Sequence, residues 1–296
     1  MNIGLVQMDG KLPNLALMRI ASYHMSQGDE VGWWHGALFP YDQVFASKIF
    51  KFTDDSLPDY VVRGGTGYAW DSRLPDPMLG ADHNDAWSLY PKYSNHLGFS
   101  ERGCRLNCSF CVVPQKDGKP KEVAKISELL SNPNGEDRLV LLDDDFLGHP
   151  RCEDVFEELA DRGLRVCFSQ GLNIRTITER QAELLSKLKF WNLKFTKPQV
   201  TFAWDNPKDR KLIERGFKRC AEAGIKPYKM QFFVLIGFDS SPDEDRDRVE
   251  VIRGWGADPF VMAYDKDDYY QKNFQRWVNR REIFKTVKFE DYRMRA

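Results

Sequence analysis

The 296-residue sequence has almost no net charge, no long apolar run, no internal repeat and no low-complexity tract, and each absence removes a class of protein. Lys and Arg number 43 against 44 Asp and Glu, a net charge of −1. Bulk charge therefore does not hold the chain to a polyanion, and only a local basic patch could. The longest nearly apolar stretch, Met230 to Phe238, is broken by Gln231 and Gly237. It is less than half of the ~20 residues a membrane span needs. No basic leader precedes the strand-like Asn2-Ile-Gly-Leu-Val6, so the start does not read as a signal peptide, and a cytoplasmic protein with no membrane contact is expected. Cysteine is also scarce for the length. Six residues in so long a chain do not make a disulfide framework. What is present, 42% hydrophobic and 29% charged residues, is the balance of a globular protein. The length suits two compact units.

From about residue 96 the pattern alternates strand and helix. His96 to Ser100, Leu139 to Leu142, Arg165 to Ser169, Gln199 to Trp204, Lys229 to Ile236 and Pro259 to Tyr264 read as strands. Helices are expected around Val123 to Leu130, from Cys152 to Arg162, after Thr178, from Asn206-Pro207 to Gly224 and after Ser241. Thr178-Glu-Arg-Gln181 and Ser241-Pro-Asp-Glu244 have the form of capping boxes. Six βα units favour parallel pairing with right-handed crossovers and suit an open, partial α/β barrel. Such barrels gather functional groups at the C-terminal strand ends. Here those ends are Cys104 to Cys111, Asp143 to Asp145, Gln170 to Arg175, Asp205 and Gly237.

Residues 1 to about 75 read as a smaller, doubly wound αβ module. Its strands are Ile3 to Gln7, Glu30 to Trp34 and Asp59 to Arg63, its helix Leu15 to Met25, and its last strand ends in Gly64-Gly-Thr-Gly67. Residues 76 to 95, rich in Pro, Asp and aromatics, read as a linker. Residues 265 to 296 are a basic, aromatic extension.

Three of the six cysteines fall within eight residues, as Cys104-Arg-Leu-Asn-Cys108-Ser-Phe-Cys111. Three thiolates on one short loop can hold three irons of a four-iron, four-sulfur cluster, leaving the fourth iron open to a small molecule. Zinc is the alternative, but structural zinc sites usually take four ligands, often as two paired motifs. Here the nearby histidine is His96 and no second pair exists. Cys152, Cys167 and Cys220, widely spaced, read as small buried hydrophobes.

The C-x-x-x-C-x-φ-C pattern, with Phe110 at φ after a first barrel strand, resembles the signature of the radical S-adenosylmethionine superfamily. The resemblance covers about residues 96 to 264 and implies a partial (β/α)6 barrel preceded by a Rossmann-like module. It also implies a [4Fe-4S] cluster on Cys104, Cys108 and Cys111, with S-adenosylmethionine chelating the open iron. Reduction then gives methionine and a 5′-deoxyadenosyl radical that abstracts hydrogen from substrate; the cofactor supplies the hard chemistry and the protein orients and shields it. By resemblance, Asp144 and then Asp143 face the methionyl amino group, as a carboxylate there balances an ammonium. Gln170, Asn173 and Arg175 resemble the polar loop that contacts ribose and the methionyl carboxylate. Val234-Leu-Ile236-Gly237 resembles the strand against which adenine packs, the glycine allowing close approach. Phe110 would meet the adenine edge and cover the cluster. A flavodoxin- or ferredoxin-type reductant is implied as partner.

The first module resembles the cobalamin-binding domain of one branch of that superfamily, through its opening strand, the Pro13-Asn14-Leu15 helix start and the Gly-Gly-Thr-Gly turn. The branch's Asp-x-His-x-x-Gly motif appears here as Asp9-Gly-Lys11-Leu-Pro-Asn14. Lysine is not a usual cobalt ligand, so a degenerate module is favoured over cobalamin binding. The tail holds Arg276, Arg280, Arg281, Lys285, Lys288, Arg293 and Arg295 among Phe274, Trp277, Phe284, Phe289 and Tyr292. That mixture could contact nucleic acid, but an amphipathic helix packed on the barrel is the favoured reading. Competing functions are a radical methyltransferase or methylthiotransferase, a non-catalytic iron–sulfur or zinc module touching nucleic acid, and a metal-dependent hydrolase built on Asp143 to Asp145. The hydrolase lacks histidine ligands and leaves the thiols unused.

Overall fold

The computed structural model describes residues 1–292 and shows a mixed α/β protein with parallel sheets. It divides into two compact units, the first Met1–Gly98 with Ser127–Glu136, the second Phe99–Ile126 with the chain from Asp137 onward.

The first unit is built on a four-stranded parallel sheet of order β2-β1-β3-β4. Its elements are β1 (Asn2–Gln7), α1 (Leu15–Ser26), β2 (Glu30–Trp33), β3 (Gln43–Ser47) and β4 (Val62–Gly64). Asn14 starts α1 by accepting the N–H groups of Ala16 and Leu17, both at 3.1 Å. Leu17, Met18 and Ala21 then face the core. Strand β3 escapes the sequence reading, and the strand expected at Asp59 to Arg63 begins only at Val62. Residues 76–95 are a correction. Instead of a linker they hold Trp87, which is 1% exposed and bonds Ser131 Oγ through its indole N–H at 3.2 Å. The Tyr90 hydroxyl donates to Gln7 Oε1 at 2.7 Å and accepts from Asn14 N at 3.1 Å. This unit also includes β5 (His96–Gly98), whose His96 accepts from the N–H of Asn132. This unit runs to Gly98 in that part of the chain.

In the second unit, β6 (Glu101–Arg102) pairs antiparallel with β7 (Lys121–Glu122), and the thiol loop and the single turn α2 (Val113–Lys116) lie between them. The helix expected at Val123 to Leu130 is one turn, α3 (Ile126–Leu129). Strands and helices then alternate: β8 (Arg138–Leu141), α4 (Cys152–Asp161), β9 (Arg165–Phe168), α5 (Glu179–Lys187), β10 (Lys189–Phe190) and β11 (Val200–Ala203). There follow α6 (Arg210–Glu222), β12 (Met230–Ile236), α7 (Pro242–Gly254) and β13 (Asp258–Ala263), then α8 (Tyr269–Asn279) and α9 (Arg281–Thr286). β10-β9-β8 and β11-β12-β13 each pair in parallel, and a parallel bridge joins Leu172 to Phe202. Both capping boxes form, on Thr178 with Gln181 and on Ser241 with Glu244. Cys152, Cys167 and Cys220 are buried. In α8 and α9, Phe274, Trp277 and Phe284 are buried, and their rings cluster with Phe289. Phe274, Trp277 and Phe284 of the tail are therefore core residues, while Phe289 and Tyr292 are half-buried. Arg293 and Arg295 lie outside the described residues. No described helix is long and apolar enough to cross a membrane.

Candidate functional site

The thiol loop leaves β6 through Gly103, whose φ of +106° suits glycine and where a Cβ would overlap the Lys119 carbonyl. Cys104 N donates to Gly118 O at 2.9 Å, which closes the loop's base. Leu106 N donates to Cys104 Sγ at 3.4 Å, and Cys111 N donates to Cys108 O at 2.9 Å. All three thiols are half-buried. Burial pushes Cys104 up to about 11 and raises Cys111. Cys108 and Cys111 add to the shift of Cys104, and Cys108 adds to that of Cys111. Burial thus opposes ionisation of Cys104 and of Cys111. A cationic metal group is what would draw off their protons, as thiolate ligands require. Among the described residues, no three His, Cys, Asp or Glu side chains are set to hold a single metal ion.

The acidic tripeptide after β8 is turned onto the stem of this loop. Asp143 accepts from the Ser100 N–H at 2.7 Å and from the Ser100 hydroxyl. Asp144 accepts from Gly103 N at 3.0 Å. Asp145 accepts from Arg105 three times, at N (3.2 Å), Nε (2.7 Å) and Nη2 (3.1 Å). Beneath them Glu101 is fully buried, with Oε2 accepting from Asp145 N at 3.0 Å and Oε1 unpartnered. Burial pushes Asp143 up to about 7 and Glu101 up to about 8, and raises Asp144. Of the two carboxylates expected to face an ammonium, Asp143 is 5% exposed and Asp144 half-buried.

The remaining expected residues fall around other strand ends of this unit. Gln170 is exposed. Asn173 Oδ1 accepts from Arg175 Nε at 2.9 Å, while its Nδ2 is buried without a partner. Arg175 Nη1 donates to Asp209 at 2.5 Å. Ile236 is fully buried. Gly237 needs correction. Its φ is +74°, and the space a Cβ would take is filled by the Gln271 amide of α8. The close approach the glycine permits is made by the protein itself, not left for a base. Phe110, 37% exposed, meets Phe238 edge-on with centroids 5.4 Å apart, and Phe238 meets Tyr264 at 4.8 Å. The thiol loop thus reaches the C-terminal ends of both β12 and β13.

Asp205 is one of the strand-end groups marked by the sequence, whereas Arg105, Asp245 and Arg248 carry no sequence signal. Asp205, at the end of β11, accepts from Leu235 N at 3.2 Å, is raised by burial and bears on the Cys111 thiol. Arg248 and Asp245 form a buried pair at 2.6 Å, and Arg248 donates to the carbonyls of Trp204 and Asp205 at 3.0 and 2.9 Å. An i,i+3 charge pair on a helix reads as a solvated face, so nothing flagged its burial. Arg105 occupies one of the motif's variable positions.

In the first unit, the loop after β1 is knitted from its own groups. Asp9 accepts from Ile49 N (2.8 Å), Phe50 N (2.9 Å) and Thr53 Oγ1 (2.6 Å). Lys11, standing where the cobalt histidine would be, is exposed, and Asn14 is the cap of α1. Gly65 and Gly67 pack on the backbone of Lys48, with Gly67 N donating to Lys48 O at 2.8 Å. The glycine turn is a packing device.

No family model matches the chain, and no curated protein matches it in sequence.

Proposed function

We propose that this protein is a radical S-adenosylmethionine enzyme acting on a substrate still to be identified. The observation that carries this is one loop of three half-buried thiols, fastened by three consecutive carboxylates at the ends of parallel strands. Cys104, Cys108 and Cys111 would hold a [4Fe-4S] cluster, and soft thiolates are its normal ligands. When bound, the cluster supplies the electron that splits S-adenosylmethionine into methionine and a 5′-deoxyadenosyl radical. Apart from the antiparallel β6–β7 pair, the strands of the second unit are parallel and run in sequence order within each sheet, which is compatible with a partial (β/α)6 barrel.

The chain's own residues then bind and orient. Asp144, half-buried and held in place by Gly103, presents a carboxylate suited to an ammonium group. Asn173 brings a buried, unpartnered amide, and Arg175 a guanidinium already aligned by Asp209 and Asn173 for a carboxylate or ribose. Gln170 adds an exposed amide. Phe110 shields the loop, while Ile236, fully buried, offers no surface to a base. A flavodoxin- or ferredoxin-type protein is the proposed reductant.

Anaerobic reconstitution should give about four irons per chain. Dithionite with S-adenosylmethionine should then release 5′-deoxyadenosine. Zinc bound in place of iron under strict anaerobiosis, or an iron-loaded protein that leaves S-adenosylmethionine intact, would overturn the reading.

A further inference from the structure

The motif's first cysteine is anchored differently from the other two. Cys104 is bonded through its own N–H to Gly118, and the next residue, Arg105, is gripped by Asp145 at main chain and guanidinium together. Cys111 is tied by a backbone bond within the turn, to Cys108. Asp145 is 3% exposed, and a carboxylate so buried holds a bidentate arginine with little solvent competition. Its own N–H is fixed by the fully buried Glu101. Arg105 Nη2 also donates to Thr176 Oγ1 at 3.1 Å, so one guanidinium spans the thiol loop, the end of β8 and the loop after β9.

A second observation shows that the ion pair is built in. Gly148 lies flat against it, and a Cβ there would sit 2.5 Å from Asp145 Oδ2 and 2.6 Å from Arg105 Nε. The chain leaves room at that point for the pair and for nothing larger than hydrogen. The Arg151–Glu122 pair of this unit, by contrast, joins two more exposed side chains.

We propose that Asp145, acting through Arg105, is a positioning residue that sets the direction of the Cys104 sulfur before any metal arrives. The proposal rests on the reading of the three thiols as ligands. It assigns to the third aspartate of the tripeptide a task distinct from meeting the cofactor. Loss of the grip frees the Cys104 end of the loop and leaves the Cys108–Cys111 turn as it was.

Competitive alkylation of the full-length, metal-free protein with iodoacetamide, read peptide by peptide by mass spectrometry, tests this. Asp145→Asn should raise the Cys104 rate roughly tenfold, the scale of one charge-assisted hydrogen bond lost. Cys108 and Cys111 should stay at their wild-type rates. Gly148→Ala, which keeps both charges, should shift Cys104 the same way by less, and Asp145→Glu should recover part of the protection. Unchanged rates at Cys104 overturn the proposal. So does a common rise at all three thiols, or labelling of the buried Cys220 in every variant, since both are what a general structural role gives. A reconstitution arm separates the two ideas. If wild-type protein takes up no iron, the cluster reading falls while the alkylation result still decides the positioning role. If wild-type loads and Asp145→Asn loads equally at limiting iron, the positioning role falls alone.

Discussion

Two loops of this protein follow a strand and begin with acidic chemistry, and they use it in opposite ways. After β1, Asp9 receives two backbone N–H groups and a hydroxyl. Burial opposes its ionisation, yet these donors hold its carboxyl below the ordinary range. After β8, Asp143, Asp144 and the neighbouring Glu101 are raised, burial outweighing the donors they receive. The first loop is electrostatically at rest. The second crowds four carboxyls and three thiols together with Arg105, an arrangement that costs stability and that folding alone does not require. Perturbed groups concentrated in one place are the mark of a working site. Asp9 is shifted the other way, by donors of its own loop that satisfy its carboxylate.

The sharpest way to break this contrast is to remove a group from each loop. Cys108→Ala should abolish iron loading and 5′-deoxyadenosine release, whereas Asp9→Ala should leave both intact while loosening the first unit. Equal effects of the two would erase the distinction. Next in size is the core of that unit. Trp87→Ala should lower its stability by about 3–5 kcal/mol in a urea titration, and a change below ~0.5 kcal/mol would restore 76–95 to the status of a tether. In the second unit, Gly237→Ala should cost about 1–3 kcal/mol through overpacking against Gln271. Gln271→Ala combined with it should recover part of that loss, a coupling a double-mutant cycle reads. The remaining effects are pH slopes of opposite sign. Asp143 has its carboxyl raised from 3.8 to about 7. Its neutral form is favoured on folding, so its contribution is complete below pH 3.8 and declines as pH rises toward about 7. Wild type should therefore lose stability relative to Asp143→Asn over that interval. Asp9, lowered from 3.8, contributes above that value and loses its contribution as pH falls through its folded pKa. Wild type should gain on Asp9→Asn as pH rises toward about 4.

Much of the second unit was legible in the sequence because its signals are local. Thr178 with Gln181 and Ser241 with Glu244 announce helix starts within four residues and form as read. The three thiols are close along the chain, so their nearness in space needed no fold. The first unit was harder. β3 presents only Val44, Phe45 and Ala46 as an apolar run, too short for periodicity to register, although pairing with β1 and β4 on both sides makes it central. Trp87 lies in a Pro- and Asp-rich stretch whose composition rightly says irregular backbone and says nothing of where an indole is buried. The grip of Asp145 on Arg105, from residues 40 apart, was invisible for the same reason. Spacing brings the thiols together, and only tertiary packing brings Asp145 to Arg105. Gly237 is the instructive case between: the need for a bare Cα was read correctly, and its occupant was not.

That occupant has a consequence for how the protein is made. Gln271 belongs to a helix that leaves the ribosome after β12, and its amide closes over Gly237. During synthesis, which proceeds at roughly 5–20 residues per second, the C-terminal end of that strand stays uncovered until α8 has emerged. A nascent chain stalled between the two would present an unfinished sheet end, where chaperone capture or premature proteolysis should concentrate.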